Sequence, residues 1–536
     1  TTLAVAAGPG IVLPGAEDAE SGAAGPAPAG SADAASGAVG SADTAPAAPA
    51  PGGYGAVVVK CLARAVADGD RVLAVVSADG RLTVPPTGLA ADPGDSGRTG
   101  PEGAVVEQPL PWILSAASPD ALRDQARRLH DHLTARPGLD PAAVGRALAT
   151  TRHRFPHRAV LLGEDTGQFL DALATLAEGG FAAEAVRGTA ADRPAAFVFP
   201  GIGSQWPGMA VELLDSSPQF HAAALECQEA LAPFTGWLLT DVLRGAPGAP
   251  GLDTTDVGMP ATFAVQVALA RTWLAYGARP AAYAGHSIGD IAAAHLSGAL
   301  TLPDAARVIT SWGAGLAELP EPGGDMLAVT LPGHRMADRL RPWEGRLDVA
   351  AYNGPESVVV SGDTDAVHEL RAALEAEGIR CRRVAAGAAC HSFHVDGVRD
   401  RMLAELADLT PRATHTPLYS SATGGIVDGR TLDAGFWFEA LRRPVRFEQT
   451  THALLADGHE ALIEVNPHAS LTAAMQETAT AAGRHAVTVS TLRRDQGGPR
   501  RFRTALAEAY VQGVHIDWAQ AFTAAPAGRV PLPTYP

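Results

Sequence analysis

The apolar positions of this chain change their spacing several times along its length, and each change marks a different kind of structure. Residues 21–53 are small and without period, so they read as a flexible tether. Residues 55–76 then read as a β-rich run, a short amphipathic helix and a second strand, a unit too short to stand alone. A second link over 86–109 leads into a strand at 111–115. There Ser118-Pro-Asp-Ala supplies a capping serine and a proline at the first helical position, predicting a helix to about Thr134. A helix over 142–150 and a strand over 157–163 complete a small α/β linker unit. From 195 onward strands and helices alternate: strand 195–199, a Gly-rich turn at 201–205, strand 280–284 and helix 289–298, an order that predicts a parallel sheet. Between 325 and 386 the order becomes strand 326–331, helix 335–343, strand 347–352, strand 358–362, helix 366–377 and strand 379–384. That is the βαββαβ arrangement of a ferredoxin-like unit, inserted in the larger one because strand and helix segments resume afterwards, including 461–465.

Composition trims the possible functions. Apolar runs such as 72–76 and 195–199 fall far short of the roughly 18 residues of a membrane span, so no membrane partner is expected. The first residues carry no basic region ahead of an apolar stretch, and the leading Thr1 suggests a chain cut from a longer polypeptide. The 41 basic residues are scattered among 58 acidic ones for a net charge of −17, which disfavours nucleic acid. Four cysteines with no C-x-x-C pair fit a cytoplasmic location better than a disulfide or zinc scaffold, and no metal site is expected.

The strongest chemical signal is Gly285-His-Ser-Ile-Gly289, a G-x-S-x-G turn between a strand and a helix. Glycines relieve the crowding of the turn, Ser287 projects above the sheet edge, and the Ile288 amide can face a developing oxyanion. The expected fold class is accordingly α/β: a large, α/β-hydrolase-like parallel-sheet subdomain with an inserted ferredoxin-like small subdomain, flanked by α/β linker domains. A serine needs a base, and His391, in Ala388-Ala-Cys-His-Ser-Phe-His394, follows the insertion where the chain re-enters the main sheet. His394 is an alternative base. Cys390 invites a Cys-His reading, against which no helix terminus stands near to lower its pKa.

Four ordered motifs then carry a resemblance: Phe199-Pro-Gly-Ile-Gly-Ser-Gln-Trp-Pro-Gly-Met209, Gly285-His-Ser-Ile-Gly-Asp-Ile-Ala-Ala-Ala-His295, Tyr352-Asn-Gly-Pro-Glu-Ser-Val-Val-Val-Ser-Gly362 and Leu441-Arg-Arg-Pro-Val-Arg-Phe447. They resemble the successive signatures of acyltransferase domains of modular type I polyketide synthases. Residues 111–164 are similar to the linker preceding such domains, and Leu492-Arg-Arg-Asp through Pro531-Leu-Pro-Thr-Tyr535 to the linker that follows. The resemblance implies four segments: a 1–108 tether with a decayed ketosynthase-like remnant, a linker over 109–190, an acyltransferase domain over 191–485 with the insertion at 325–386, and a second linker over 486–536. It also implies that Ser287 is acylated by an acyl-CoA, that His391 is the base, that the backbone amides of Ile202 and Ile288 form the oxyanion hole, and that the Ala440 carbonyl orients the base. His286, Gln205, Ala388, Ala389, Cys390 and Trp312 fall at substrate-pocket positions. No cofactor is bound; the acyl group leaves on the phosphopantetheine thiol of an acyl carrier protein, expected downstream in the same polypeptide.

One departure bears on the substrate. Extender-unit members of the family carry an arginine that pairs with the free carboxylate of a malonyl-type group, and here Ala306-Arg-Val-Ile-Thr-Ser-Trp-Gly313 puts Trp312 at that place. This resembles the loading-module acyltransferases of the avermectin and erythromycin synthases. The expectation is a starter-unit acyltransferase for a short, non-carboxylated, α-branched acyl group; the alternatives are a malonyl or methylmalonyl extender-unit acyltransferase and a serine hydrolase or editing thioesterase.

Overall fold

A computed structural model describes residues 3–7, 58–61, 71–76, 82–83, 108–319, 324–384, 388–523 and 530–535. The chain forms two compact units, Thr1–Gly103 and Ala104–Pro536. In the first, strand Leu3–Ala7 pairs antiparallel with Val58–Cys61 on one side and Arg71–Val76 on the other, and Leu82–Thr83 extends the sheet beyond Arg71–Val76. The expected tether, the short helix between these strands and the link up to 107 lie outside the described residues.

The second unit begins with an antiparallel sheet whose central strand, His157–Gly163, lies between Leu110–Ala116 and Ala185–Thr189. Helix Pro119–Thr134 starts where it does because the Ser118 side chain accepts the Ala121 N–H and proline, which has no N–H to satisfy, occupies the first turn. Helices Pro141–Thr151 and Thr166–Ala177 complete this layer, and Trp112 stacks on Phe169 with ring centroids 3.8 Å apart. The end of the chain returns here: the Tyr535 hydroxyl accepts the Ala117 N–H at 2.9 Å, and Arg152 donates to the Pro533 carbonyl at 2.9 Å.

The main sheet has six strands in the order Gly425–Ile426, Leu418–Ser420, Ala282–Gly285, Ala195–Phe199, Ala461–Glu464, Val487–Ser490. All neighbours are parallel except the first pair. Ala195–Phe199 is buried at every position, as a central strand covered on both faces must be. Between it and Ala282–Gly285 the chain makes the 21-residue helix Thr255–Ala275, of which only four residues escape full burial.

The insertion forms a second sheet in the order Leu347–Gly354, Ser357–Gly362, Asp325–Val329, Cys381–Arg383, all neighbours antiparallel, with helices Gly333–Arg339 and Thr364–Ala376. It has a core of its own, including Leu327, Met336, Val360, Leu370 and Leu374. The α/β class with a small ferredoxin-like subdomain is therefore what the chain adopts.

Candidate active site

Strand Ala282–Gly285 and helix Gly289–Leu296 meet at a turn so tight that only glycine fits on either side of it. A Cβ on Gly289 would lie 1.8 Å from the Phe199 carbonyl oxygen, and one on Gly285 would lie 2.2 Å from the Asp290 nitrogen. Ser287 between them takes the left-handed backbone at φ 55°, which costs a non-glycine residue energy and persists only where surrounding bonds over-determine it. One such bond runs from the Ser287 N–H, which donates to the Ser421 hydroxyl oxygen at 3.1 Å.

Ser287 Oγ lies 2.9 Å from His391 Nε2. The other ring nitrogen, Nδ1, lies 2.9 Å from the Arg443 carbonyl oxygen, which only accepts; Nδ1 therefore carries the proton and Nε2 presents its lone pair to the serine hydroxyl. His391 also has a left-handed backbone, φ 57°, and its N–H donates to the Leu441 carbonyl at 3.1 Å. Burial drives the imidazole down to about 4, with His286 adding to the effect and the carbonyls of Arg443 and Ala440 opposing it, so the ring is neutral near pH 7. The orienting carbonyl was expected at Ala440 and is found at Arg443. Helix Ala434–Arg442 ends one residue earlier, and Arg443 takes extended backbone (φ −87°, ψ 159°), releasing its carbonyl from the helical direction toward the base. The Ala440 carbonyl, in the last turn of that helix, also acts on the ring, second to that of Arg443.

Residues 196–516 match the profile of the Acyl transferase domain family. The chain belongs to this family. Residues 112–173 match a second profile, CurL-like, PKS C-terminal. This acyltransferase domain is 47% identical over 447 residues to polyketide synthase GfsB of Streptomyces halstedii, covering 82% of this chain and 8% of that protein. It is 43% identical to erythronolide synthase EryA2 of Saccharopolyspora erythraea, covering 80% and 12%. The chain thus spans about a tenth of the length of these curated relatives. Among solved structures, the acyltransferase domain from module 8 of the salinomycin polyketide synthase matches at 46% identity and a TM-score of 0.74, covering 77% of this chain and 97% of that one. The loading acyltransferase of the avermectin synthase matches at 42% and 0.57, covering 59% and 99%. The chain is an acyltransferase domain of the modular type I polyketide synthase kind, and an enzyme.

The other residues expected at the site have varied surroundings. Among the described residues, neither the Ile202 nor the Ile288 N–H has an acceptor, which leaves both amides free to meet a developing charge. His286 Nε2 donates to Asn353 Oδ1 at 2.8 Å and its N–H to the Phe199 carbonyl at 2.9 Å, tying the turn to the small subdomain and to the central strand. Gln205 turns back on its own loop, accepting the Gly203 N–H at 2.8 Å, with its amide nitrogen 3.4 Å from the Leu252 carbonyl. Ala388, Ala389 and Cys390 are buried, and burial pushes the Cys390 thiol up to about 12, which keeps it protonated and unreactive. His394 is drawn away from Ser287, its Nε2 bonded to Asp363 at 3.0 Å.

Trp312 is fully buried in helix Leu302–Ala317, edge-on to Trp437 with centroids 6.3 Å apart. Trp437 belongs to the helix whose end holds His391. Arg307 does not stand in for a cation there, since its guanidinium pairs at the surface with Asp408 at 2.6 Å. Asn353, Ser421, Asp290 and Arg443 escaped the sequence reading as site residues. Asn353, Asp290 and Arg443 lie within recognised motifs and Ser421 does not; Asp290, Ser421 and Arg443 act through buried contacts or a backbone group, which residue type alone does not reveal. No helix among the described residues is long and apolar enough to cross a membrane.

Proposed function

We propose that this acyltransferase domain moves a short, non-carboxylated, α-branched acyl group from an acyl-CoA, through an ester on Ser287, to the phosphopantetheine thiol of an acyl carrier protein carried downstream in the same polypeptide. Ser287 Oγ attacks the thioester carbonyl while His391 Nε2 takes the serine proton. The tetrahedral oxyanion meets the Ile202 and Ile288 amides, and its collapse expels the CoA thiolate, which takes the proton from Nε2. The carrier thiol repeats the sequence in reverse: it gives its proton to His391, attacks the ester carbonyl, and the departing serine oxygen recovers that proton. The ring's low basicity keeps it neutral and ready at the start of each half-reaction. A cytoplasmic location suits the free thiols of Cys227, Cys381 and Cys390.

Trp312 carries the substrate reading. Its indole is fully buried against a second indole, and the guanidinium five residues before it is committed to Asp408. A malonyl-type carboxylate brought to this wall would be buried unpaired, at a cost of several kcal/mol on the order of other uncompensated buried charges. A methyl branch gains only about 0.8 kcal/mol by burial. The charge decides, and the branch refines. A second reading, an extender-unit acyltransferase, is favoured by the higher TM-score to the salinomycin module 8 domain (0.74) than to the avermectin loading domain (0.57). Competition among isobutyryl-, propionyl-, malonyl- and methylmalonyl-CoA, read by intact mass of the acyl-enzyme, separates the two. Isobutyryl or propionyl adducts are expected to form first. Faster acylation by malonyl- or methylmalonyl-CoA would give the second reading instead.

A further inference from the structure

The residue after the elbow glycine is an aspartate buried beside the nucleophile that the transfer chemistry does not use. Asp290 is 3% exposed. Its Oδ2 accepts the hydroxyl protons of Ser420 at 2.8 Å and Ser421 at 3.1 Å, and the Ala422 N–H at 3.4 Å; its Oδ1 accepts the Ser421 N–H at 3.2 Å. A carboxylate can only accept. The single hydroxyl proton of Ser421 is therefore committed to Asp290, and the Ser421 oxygen has only lone pairs left to offer, one of which meets the Ser287 N–H at 3.1 Å.

We propose that Asp290 and Ser421 are positioning residues for the nucleophile: the ionised carboxylate fixes the Ser421 hydroxyl so that its oxygen holds the Ser287 N–H, and that bond keeps Ser287 in the left-handed backbone from which Oγ reaches His391. The inference rests on the reading of Ser287 as nucleophile and adds to it a control by charge. A protonated Asp290 has a proton of its own where three donors converge on Oδ2, so the Ser421 hydroxyl is released to turn and the strained elbow relaxes. Burial, opposed only by the four bonds just named, raises the Asp290 carboxyl to about 6.

The charged and titratable groups on the elements packed around Asp290 are engaged elsewhere. Tyr283 is a buried phenol pushed up to about 12, Tyr419 donates to Asp457, Arg271 pairs with Glu226 and Arg307 with Asp408. Asp304 accepts from Thr301, Asp256 is exposed, and His295, on the same helix as Asp290, is held neutral by burial. None of them contributes to the Asp290 titration. The base itself protonates only near 4, so an acid limb near 6 belongs to the aspartate and not to His391.

The test uses a fluorophosphonate probe, which forms an Oγ–P bond at Ser287 and expels fluoride, with the serine proton passing to His391; it reports the elbow without an acyl-CoA. Labelling of the parent chain should fall as pH drops through about 6. Ser421→Ala should label about 10- to 100-fold more slowly at pH 8, as misplaced reacting groups do, and lose the limb; with the preferred acyl-CoA its kcat should fall while KM holds. Asp290→Asn should behave alike, and if it fails to fold Ser421→Ala carries the test alone. Ser420→Ala, which removes contacts to the carboxylate and to the Ala422 N–H but leaves the bonds of Ser421 to Asp290 and Ser287, should keep the limb. Parental rates and an unchanged limb in Ser421→Ala would overturn the proposal, as would a parental limb confined to the region near 4. A parent that shows the limb with the probe but is acylated by no acyl-CoA would sink the transfer reading and leave the positioning intact.

Discussion

Ser287 and His391 both sit at positive φ, and both are held there by backbone bonds to other elements, so removing either side chain should leave the fold in place. Ser287→Ala is expected to abolish the acyl adduct by intact mass while the unfolding temperature stays at the parental value; an adduct surviving on another residue would displace Ser287 from its role. His391→Ala should lower acylation by about 10²–10⁴-fold, the usual contribution of a positioned base, and His394→Ala should do far less because its ring faces Asp363. Burial of His391 also has a pH signature. Neutral in the folded state down to about 4 but protonated near 6.5 when unfolded, it makes the unfolded chain bind more protons between those values. No penalty exists above that window. Stability falls as pH drops through it, by at most on the order of 3 kcal/mol. Urea unfolding at pH 7.5 and about 4.5 should therefore show a smaller acid loss for His391→Gln than for the parent; equal losses would contradict the buried, neutral ring.

At the scale of elements, the elbow depends on how closely helix Gly289–Leu296 approaches strand Ala195–Phe199. Gly289→Ala would drive a methyl into the Phe199 carbonyl, a backbone group that cannot swing aside, and should cost about 2–4 kcal/mol and silence Ser287 together. Thermal unfolding and probe labelling check both effects, and a variant that kept both parental values would show that the helix is free to shift. The same local rules explain what was legible beforehand. The ferredoxin-like insertion could be read strand by strand because short apolar runs such as 358–360 are set off by helices, one of which buries Ala366, Val367, Leu370 and Leu374 at helical spacing; the helix expected over 335–343 appears as Gly333–Arg339 followed by a tight turn at Arg341–Trp343 that Pro342 imposes. Helix Thr255–Ala275 left no such trace. Packed on nearly every side, it has no polar stripe, and a helix without a stripe has no 3.6-residue signal. Strand Ala185–Thr189 was missed for a different reason: it is only half-buried and carries Arg187 and Gly188, so its side chains give neither an alternating nor a continuous apolar pattern. In the site, the dyad was visible because side chains perform it. The orienting carbonyl was misplaced by three residues because a main-chain group takes its direction from where a helix stops, which side-chain identity records poorly.

For the molecule as a whole, Trp312, proposed as the selecting wall, and His391, proposed as the base, share one support, the helix Ala434–Arg442 that carries Trp437 and releases the Arg443 carbonyl. On the proposed function, selection and catalysis are thereby coupled through packing. Trp312→Arg should weaken acylation by isobutyryl-CoA about 10- to 200-fold, the range for a changed apolar contact, and shift the competition toward carboxylated acyl groups; unaltered preference in the competition assay would remove Trp312 from the selecting wall. The carbonyl that steers His391 has a different consequence. The Arg443 side chain is largely exposed and, among the described residues, pairs with Glu439 in the preceding helix, while the atom that matters belongs to the main chain. Arg443→Ala should leave acylation within about 2-fold of the parent, as expected for a surface ion pair, and a larger loss would mean the guanidinium takes part. A deep mutational scan would then pass over position 443 in silence. The site's most exacting geometric instruction would be invisible to any survey that scores residues by the damage their replacement causes, and free to drift in sequence while remaining fixed in space.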